Sequence, residues 1–382
     1  MSRIRFSLNW FVLAPVLILI SIGFVMVLST SPVVGAANYS DSYFFVKKHL
    51  IFIFLGILAL GLGYLIPHQT YKTYLGLGFS LSLFLLILTF VPGIAVQTGG
   101  ASRWIRLGGF GFQPVECVKF FIAVFLSVSL ENKRSQLNYF HKGLIPIVSV
   151  VLIPVLLLSK QPDLGNIGLI LIVTFSLFWV SPIPFRYFSL LVATAALGIA
   201  ISIALNPYQM DRILAFLNPT ADPLGKNYHV MQSLTAIGSG GFFGLGIGES
   251  KLKYFYLPLQ YSDFIFSIIC EEGGFFLGAT LILLYFFLFM YIVKVASKTD
   301  RFYSYYLCLG LGFFIVFQAF LNMMVVTGLF PVTGIPLTFI SFGGTSFVTG
   351  LFFIGVILNI SKQNKDREHD FVLKEKDGAS LH

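Results

Sequence analysis

The chain has 382 residues, of which 57% are hydrophobic and only 11% charged, and its mean hydropathy is +0.87. Soluble domains carry about 25% charged residues, so this composition excludes an ordinary water-soluble protein. The net charge is +9, from 25 Lys and Arg against 16 Asp and Glu. Its sidedness fits membrane topology rather than nucleic-acid binding.

Apolar runs long enough for a hydrocarbon core of about 30 Å fall at about 10–30, 49–66, 74–95, 114–130, 143–160, 164–181, 187–205, 263–293, 303–328 and 338–360. The runs are continuous rather than alternating, which excludes a membrane barrel and argues against strands. The expected fold is an all-α polytopic membrane protein of ten transmembrane helices. Residues 1–361 form one transmembrane domain, with a long extracytoplasmic loop at 206–261. Residues 362–382 form a charged cytoplasmic tail expected to be disordered.

Arg3 and Arg5 precede the first run, and V-V-G-A-A at Val33 to Ala37 faintly resembles a signal cleavage site. The run is too long for a signal h-region, so an uncleaved first helix is expected. With the N-terminus inside, the inner segments hold 15 of the 25 Lys and Arg and the outer segments nine. That bias places both termini in the cytoplasm and the long loop outside. Pro15, Pro146 and Pro154 fall within spans, where neighbouring helices can satisfy the freed backbone groups. Cys117, Cys270 and Cys308 also lie in spans and show no disulfide or metal spacing.

Several polar groups cluster at expected outer helix mouths. Arg103-Trp104-Ile105-Arg106 precedes the fourth span; two guanidiniums beside an indole suit a phosphate or an interfacial anchor. Gln113-Pro114-Val115-Glu116 and Gln161-Pro162-Asp163 read as helix starts, with Asp163 in a first turn favoured by the dipole. Glu116 and Lys119, three apart, share a helix face as a structural ion pair or as one side of an anion site.

Asp263 sits where the long loop meets the eighth span. Ser262 is the expected N-cap, with Asp263 in the first turn, yet a carboxylate there is commonly functional. Deeper on the same helix, Glu271 and Glu272 must face protein or water; Lys119 or polar neighbouring helices are the expected partners. The glycine run Gly238 to Gly248 lacks the βαβ context of a dinucleotide fingerprint, so tight turns or a reentrant segment are expected.

Taken in order, these stretches resemble the SEDS family of bacterial cell-wall polymerases, whose best-known branches are FtsW and RodA. The matching stretches are R-W-I-R-L-G (Arg103 to Gly108), F-Q-P-V-E-C-V-K (Phe112 to Lys119), Q-P-D-L-G (Gln161 to Gly165), D-P-L-G-K-N-Y-H-V-M-Q-S (Asp222 to Ser233), G-S-G-G (Gly238 to Gly241), Y-L-P-L-Q-Y-S-D-F-I-F (Tyr256 to Phe266), E-E-G-G (Glu271 to Gly274) and G-I-P-L-T-F-I-S-F-G-G-T-S (Gly334 to Ser346). The family pattern has an acid and a histidine where this chain has Leu259 and Tyr261; Asp263 is retained. The stretch Gly244 to Pro258 is more similar to the division branch, FtsW, than to the elongation branch, RodA.

The resemblance implies an inverting peptidoglycan glycosyltransferase acting on lipid II and releasing undecaprenyl pyrophosphate during septal wall synthesis. Asp263 would be the catalytic base. Arg103, Arg106, Lys119 and Arg212 would bind the pyrophosphate, with a divalent cation such as Mg or Mn as a further expectation. Trp104, Gln113, Glu116, Gln161, Asp163, Glu271 and Glu272 would support them. Expected partners are lipid II, a class B penicillin-binding protein transpeptidase and other division-complex membrane proteins, with no nucleic acid. The expected location is the bacterial inner membrane at the septum. A lipid II flippase and an elongation-type polymerase remain as alternatives.

Overall fold

The computed structural model describes residues 8–98, 101–107, 110–218, 227–254 and 260–379. Arg3, Arg5, Gly108, the stretch from Asp222 to Lys226 and Leu257, Pro258 and Leu259 lie outside the described residues. In chain order the elements are α1 (Trp10–Thr30), α2 (Pro32–Tyr39), α3 (Phe44–Leu65), α4 (His68–Thr73), α5 (Leu75–Leu88), β1 (Ala95–Thr98), β2 (Ala101–Leu107), β3 (Phe110–Phe112) and α6 (Val115–Asn132). They continue as α7 (Ile145–Lys160), α8 (Leu164–Val180), α9 (Phe185–Leu205), α10 (Pro207–Leu217), α11 (Tyr228–Ser239), α12 (Ile265–Ser297), α13 (Phe302–Val326) and α14 (Thr345–Ala379).

Each of the ten apolar runs is a helix, and the chain is a multi-pass membrane protein. By length and composition, seven of the described helices can cross a membrane: α1, α3, α7 with the turn before it, α9, α12, α13 and α14. The count of ten is not met on those terms. The helices α5 and α8 have 14 and 17 residues, short for a span of about 20 residues. The helix α6 carries Glu116, Lys119 and Glu131.

The helix α13 is the axis of the bundle, buried among α6, α8, α12 and α14. Its circumference is mostly apolar or small, with Gln318 and Asn322 hydrogen-bonded inside the bundle, as expected of a helix enclosed by others. The pair α3 and α14 forms the most extensive helix contact. By contrast α9 buries only Leu191, so its apolar surface is available to lipid.

Four features differ from the sequence reading. The loop before α6 folds as a three-stranded antiparallel sheet, with Ile105 opposite both Ala95 and Phe112. The alternating stretch Ser102 to Leu107 is the strand signal there, outside the apolar runs. Within the long loop stand α10 and α11. The tail continues α14 as helix to Ala379 instead of being disordered. Pro146 lies in the first turn of α7, where its missing N–H costs nothing, so only Pro15 and Pro154 are helix-interior.

The glycine run packs against an interruption in α12. Gly274 has φ 68° and ψ −169°, a conformation essentially restricted to glycine, and it interrupts the helical ladder. The loop supplies the missing partners. Leu245 N–H donates to the Glu271 carbonyl at 2.9 Å and Gly246 N–H to the Glu272 carbonyl at 3.0 Å. Phe275 N–H donates to the Gly241 carbonyl at 2.9 Å and Phe276 N–H to the Phe242 carbonyl at 3.3 Å. A Cβ on Gly244 would stand 2.1 Å from the Glu272 carbonyl oxygen, so the approach requires glycine. Gly274 is roughly 14 Å along the helix from Ile265 at 1.5 Å per residue. The segment therefore re-enters beside α12, and irregular backbone at that depth is tolerated because it is hydrogen-bonded to protein.

Two buried acids hold the descending strand of this loop. Glu271 accepts from the Ser250 hydroxyl and from Lys251 N–H at 2.9 Å. Glu272 accepts from the Ser29 hydroxyl at 2.8 Å and pairs with the Lys253 ammonium at 3.1 Å. Lys119 is the partner of neither. Both acids anchor the loop to α12 and α1, the role expected of buried charges that are paired and hydrogen-bonded.

Candidate active site

Asp263 lies in the turn before α12, and Phe264 rather than Ser262 is the N-cap. The turn is held by its backbone. Asn322 Nδ2, near the C-terminal end of α13, donates to the Asp263 carbonyl at 2.7 Å and to the Ile335 carbonyl at 2.8 Å. The Ser341 hydroxyl donates to the Ser262 carbonyl at 2.6 Å, and Phe342 N–H to the Tyr261 carbonyl at 3.0 Å. Asn322 on α13 and the loop between α13 and α14 thus fix three successive peptide carbonyls, one and two respectively, without using the Asp263 carboxylate.

That carboxylate faces Gly334, whose φ is +74°. A Cβ built on Gly334 would lie 3.7 Å from Asp263 Oδ2 and 3.9 Å from Arg103 Nη1. The acid and the guanidinium therefore meet around one space that glycine keeps open. Asp263 is half-buried, and crowding by protein raises its pKa to about 6. The Ser262 hydroxyl and the positive charges of Arg103 and Arg212 act in the opposite direction.

Arg103 reaches this point from β2. It is the extra residue of an irregularity there, between Ser102 opposite Gln97 and Trp104 opposite Val96; beyond it side chains alternate, with Ile105 buried and Arg106 exposed. Arg103 Nη2 donates to the Pro162 carbonyl at 2.6 Å, and its Nε is 3.7 Å from Asp163 Oδ2. Asp163 is the N-cap of α8, accepting from Asn166 N–H and from Asn166 Nδ2 at 2.8 Å. It stands one position before the first turn in which the sequence placed it, and it positions Arg103.

Arg212, on α10, donates to the Val332 carbonyl at 2.8 Å. It borders a cavity of about 390 Å³ whose walls include His229, Val230, Leu234, Phe330 and Val332. The His229 ring stacks on Phe264 at 5.9 Å, and burial lowers its pKa. Next to the Asp263 turn there is thus a mostly apolar space with Asp211 and Arg212 side by side on its wall, as suits an amphiphile with a polar head.

The remaining sequence candidates are placed elsewhere. Arg106 is exposed on the outer face of β2. Trp104 lines a separate aromatic cavity with Phe45, Phe52 and Phe342. Lys119 is enclosed within the bundle, donating to Glu116 at 2.8 Å and to Gln318 at 3.0 Å. It is therefore the structural ion pair and does not face Asp263. Gln161 donates to the Thr89 hydroxyl, and Gln113 is buried at the mouth of α6; both brace helix starts.

Sequence reasoning singled out neither Asn322, Gly334, Ser341 nor His229. Gly334, Ser341 and His229 lie in stretches that carried the resemblance, whereas Asn322 carried no local signal. Among the described residues no group of three or more His, Cys, Asp or Glu side chains is placed to hold a metal. The positive charges acting on Asp263 are those of Arg103 and Arg212.

Residues 9–366 match the family of cell cycle proteins that groups FtsW, RodA and SpoVE. Stage V sporulation protein E of Bacillus subtilis is 36% identical over 351 residues, covering 91% of this chain and 95% of that protein. The probable peptidoglycan glycosyltransferase FtsW of Geobacter sulfurreducens is 38% identical over 348 residues, covering 90% and 92%. Among solved structures, one chain from work on structural coordination of polymerization and crosslinking by a peptidoglycan synthase complex superposes with a TM-score of 0.78 and 26% identity, over 94% of this chain and 99% of that one. The crystal structure of the rod shape determining protein RodA of Thermus thermophilus, 24% identical, shares the fold with a TM-score of 0.70 over 94% and 98%. With that match along nearly its whole length, the chain belongs to the FtsW/RodA/SpoVE family, the SEDS proteins.

Proposed function

We propose that this protein is a peptidoglycan glycosyltransferase of the division type. It polymerises lipid II into β-1,4 glycan and releases undecaprenyl pyrophosphate. The observation that carries the reading is the placing of Asp263 and Arg103 on either side of Gly334, beside a mostly apolar cavity bordered by Asp211 and Arg212. Asp263 takes the proton from the acceptor 4-hydroxyl. That oxygen then forms the bond to the donor anomeric carbon as the bond to pyrophosphate breaks on the opposite face. The α-linked donor becomes a β-linked product in one inverting displacement. Arg103 and Arg212 offset the charge that develops on the departing pyrophosphate, where fixed cations act most strongly.

Names of relatives that act as glycosyltransferases support the activity, and FtsW and SpoVE names among them support a division-type role. The Lys and Arg distribution supports cytoplasmic termini and an outward-facing Asp263. A class B penicillin-binding protein is the proposed partner, since a similar chain works within a peptidoglycan synthase complex; the septum is the proposed location.

The test is reconstitution of the full chain with a class B transpeptidase and lipid II in proteoliposomes. Glycan chains should form. Translocation of lipid II without any glycan would replace the polymerase with a transporter.

The pH dependence follows from Asp263. A base works as the carboxylate, so polymerisation should fall as pH drops through about 6, where burial sets its pKa, and level off at higher pH. Arg103→Ala removes a cation that favours the charged form, so the midpoint should move upward. Initial rates across the pH range measure both, and a flat wild-type profile would separate Asp263 from proton transfer.

A further inference from the structure

We propose that the end of the bundle opposite Asp263 carries a binding site for a phosphate-bearing anion, supplied by the headgroup of an anionic membrane lipid. A cavity of about 230 Å³ opens there between the start of α1 and the last turns of the spans in α12 and α14. Its polar lining is Asn9, Tyr291, Lys294, Lys298, Ser361 and Lys365, with Asn364 at its floor. Lys294 is roughly 45 Å along α12 from Asp263 at 1.5 Å per residue, so this space is separate from the candidate active site.

The wall is built and one-signed. Asn9 Nδ2 donates to the Ser361 hydroxyl at 3.0 Å, joining α1 to α14, and Asn364 Nδ2 donates to the Val295 carbonyl at 3.1 Å, joining α14 to α12. Ser361 and Asn364 are buried, at 5% and 8% exposure, so polar groups form the base of the space. Among the described residues that line it, three are lysines and none is a carboxylate, and Lys294 and Lys365 are the two cations on which the site rests. Ammonium, hydroxyl and amide donors together are the set that recognises a phosphate.

The position of the cavity selects a lipid as the source. Phe11 stacks on Tyr291 at 4.9 Å, and the Lys294 ammonium lies 6.0 Å from the Tyr291 ring centre. Trp10 and Phe11 are 62% and 63% exposed beside the opening, at the level where aromatic side chains meet headgroups and acyl chains. The Lys and Arg bias makes this the cytoplasmic end, and basic pockets between helices there suit anionic headgroups. Lys362, one turn of α14 away from this role, lies over the Tyr64 ring at 5.4 Å instead.

The test uses the full chain in nanodiscs of phosphatidylcholine containing phosphatidylglycerol, with retained lipid counted by native mass spectrometry. The wild type should retain phosphatidylglycerol in preference to phosphatidylcholine. K294Q/K365Q should weaken that retention about 25-fold, at about five-fold per lysine, and K362Q should match the wild type. Equal lipid retention and equal inorganic phosphate binding by wild type and K294Q/K365Q, or an equal loss in K362Q, would overturn the site in favour of a diffuse basic surface. A parallel arm titrates inorganic phosphate against each protein. If K294Q/K365Q loses inorganic phosphate binding while lipid retention is unchanged, the anion site stands and the lipid source is overturned.

Discussion

Asp263→Asn should lower glycan polymerisation by about 10²–10⁴-fold, the range that positioned proton transfer supplies, without loss of fold. The substitution is nearly isosteric. The bonds that hold the turn run from Asn322, Ser341 and Phe342 to the peptide carbonyls of Asp263, Ser262 and Tyr261. None of them uses the carboxylate. An amide is also easier to bury than a carboxylate, so thermal stability should not fall. Product glycan from reconstituted protein, read beside a melting curve and binding to the transpeptidase, checks the claim. A variant that polymerises at the wild-type rate would remove Asp263 as the base. A variant that loses glycan together with its melting transition would give it a structural role instead.

The largest expected stability effect lies deeper, at Lys253→Met. The side chains of Lys253 and Glu272 are 5% and 0% exposed, so removing the ammonium leaves a buried carboxylate short of its countercharge. Breaking such a pair from one side costs about 3–5 kcal/mol. The Ser29 hydroxyl still donates to Glu272, which places the expectation toward the lower end. Lys253→Met with Glu272→Gln removes both charges and should recover most of the loss, because the two residues are in contact and their effects are not additive. Thermal unfolding of the four proteins in one detergent measures the cycle. A single Met variant as stable as wild type would show that the pair does not hold the reentrant loop.

The helices were legible because a bilayer leaves a continuous sequence signal: every one of the ten apolar runs is helical. The sheet was not, because β1 and β3 are only four and three residues long and lie between spans. Arg103 and Arg106 read as an equivalent pair in the linear sequence. The irregularity in β2 and the alternation beyond it separate them, placing one near Asp263 and the other at the surface. Glu271 and Glu272 had no visible partner because Ser250, Lys251 and Lys253 reach them only once the loop turns back beside α12. Asn322 was hidden for a similar reason: its value lies in touching two loops that meet only in the folded bundle.

The interruption at Gly274 also bears on how the protein is made. A helix with open hydrogen-bonding positions near its middle is a poor membrane span by itself. Its complement, Gly238 to Gly248, is earlier in the chain and leaves the ribosome first. The second part of α12 therefore finds its partner already waiting at the membrane. Insertion of this helix and closure of the loop against it are therefore expected to be coupled, since each satisfies the other's backbone groups.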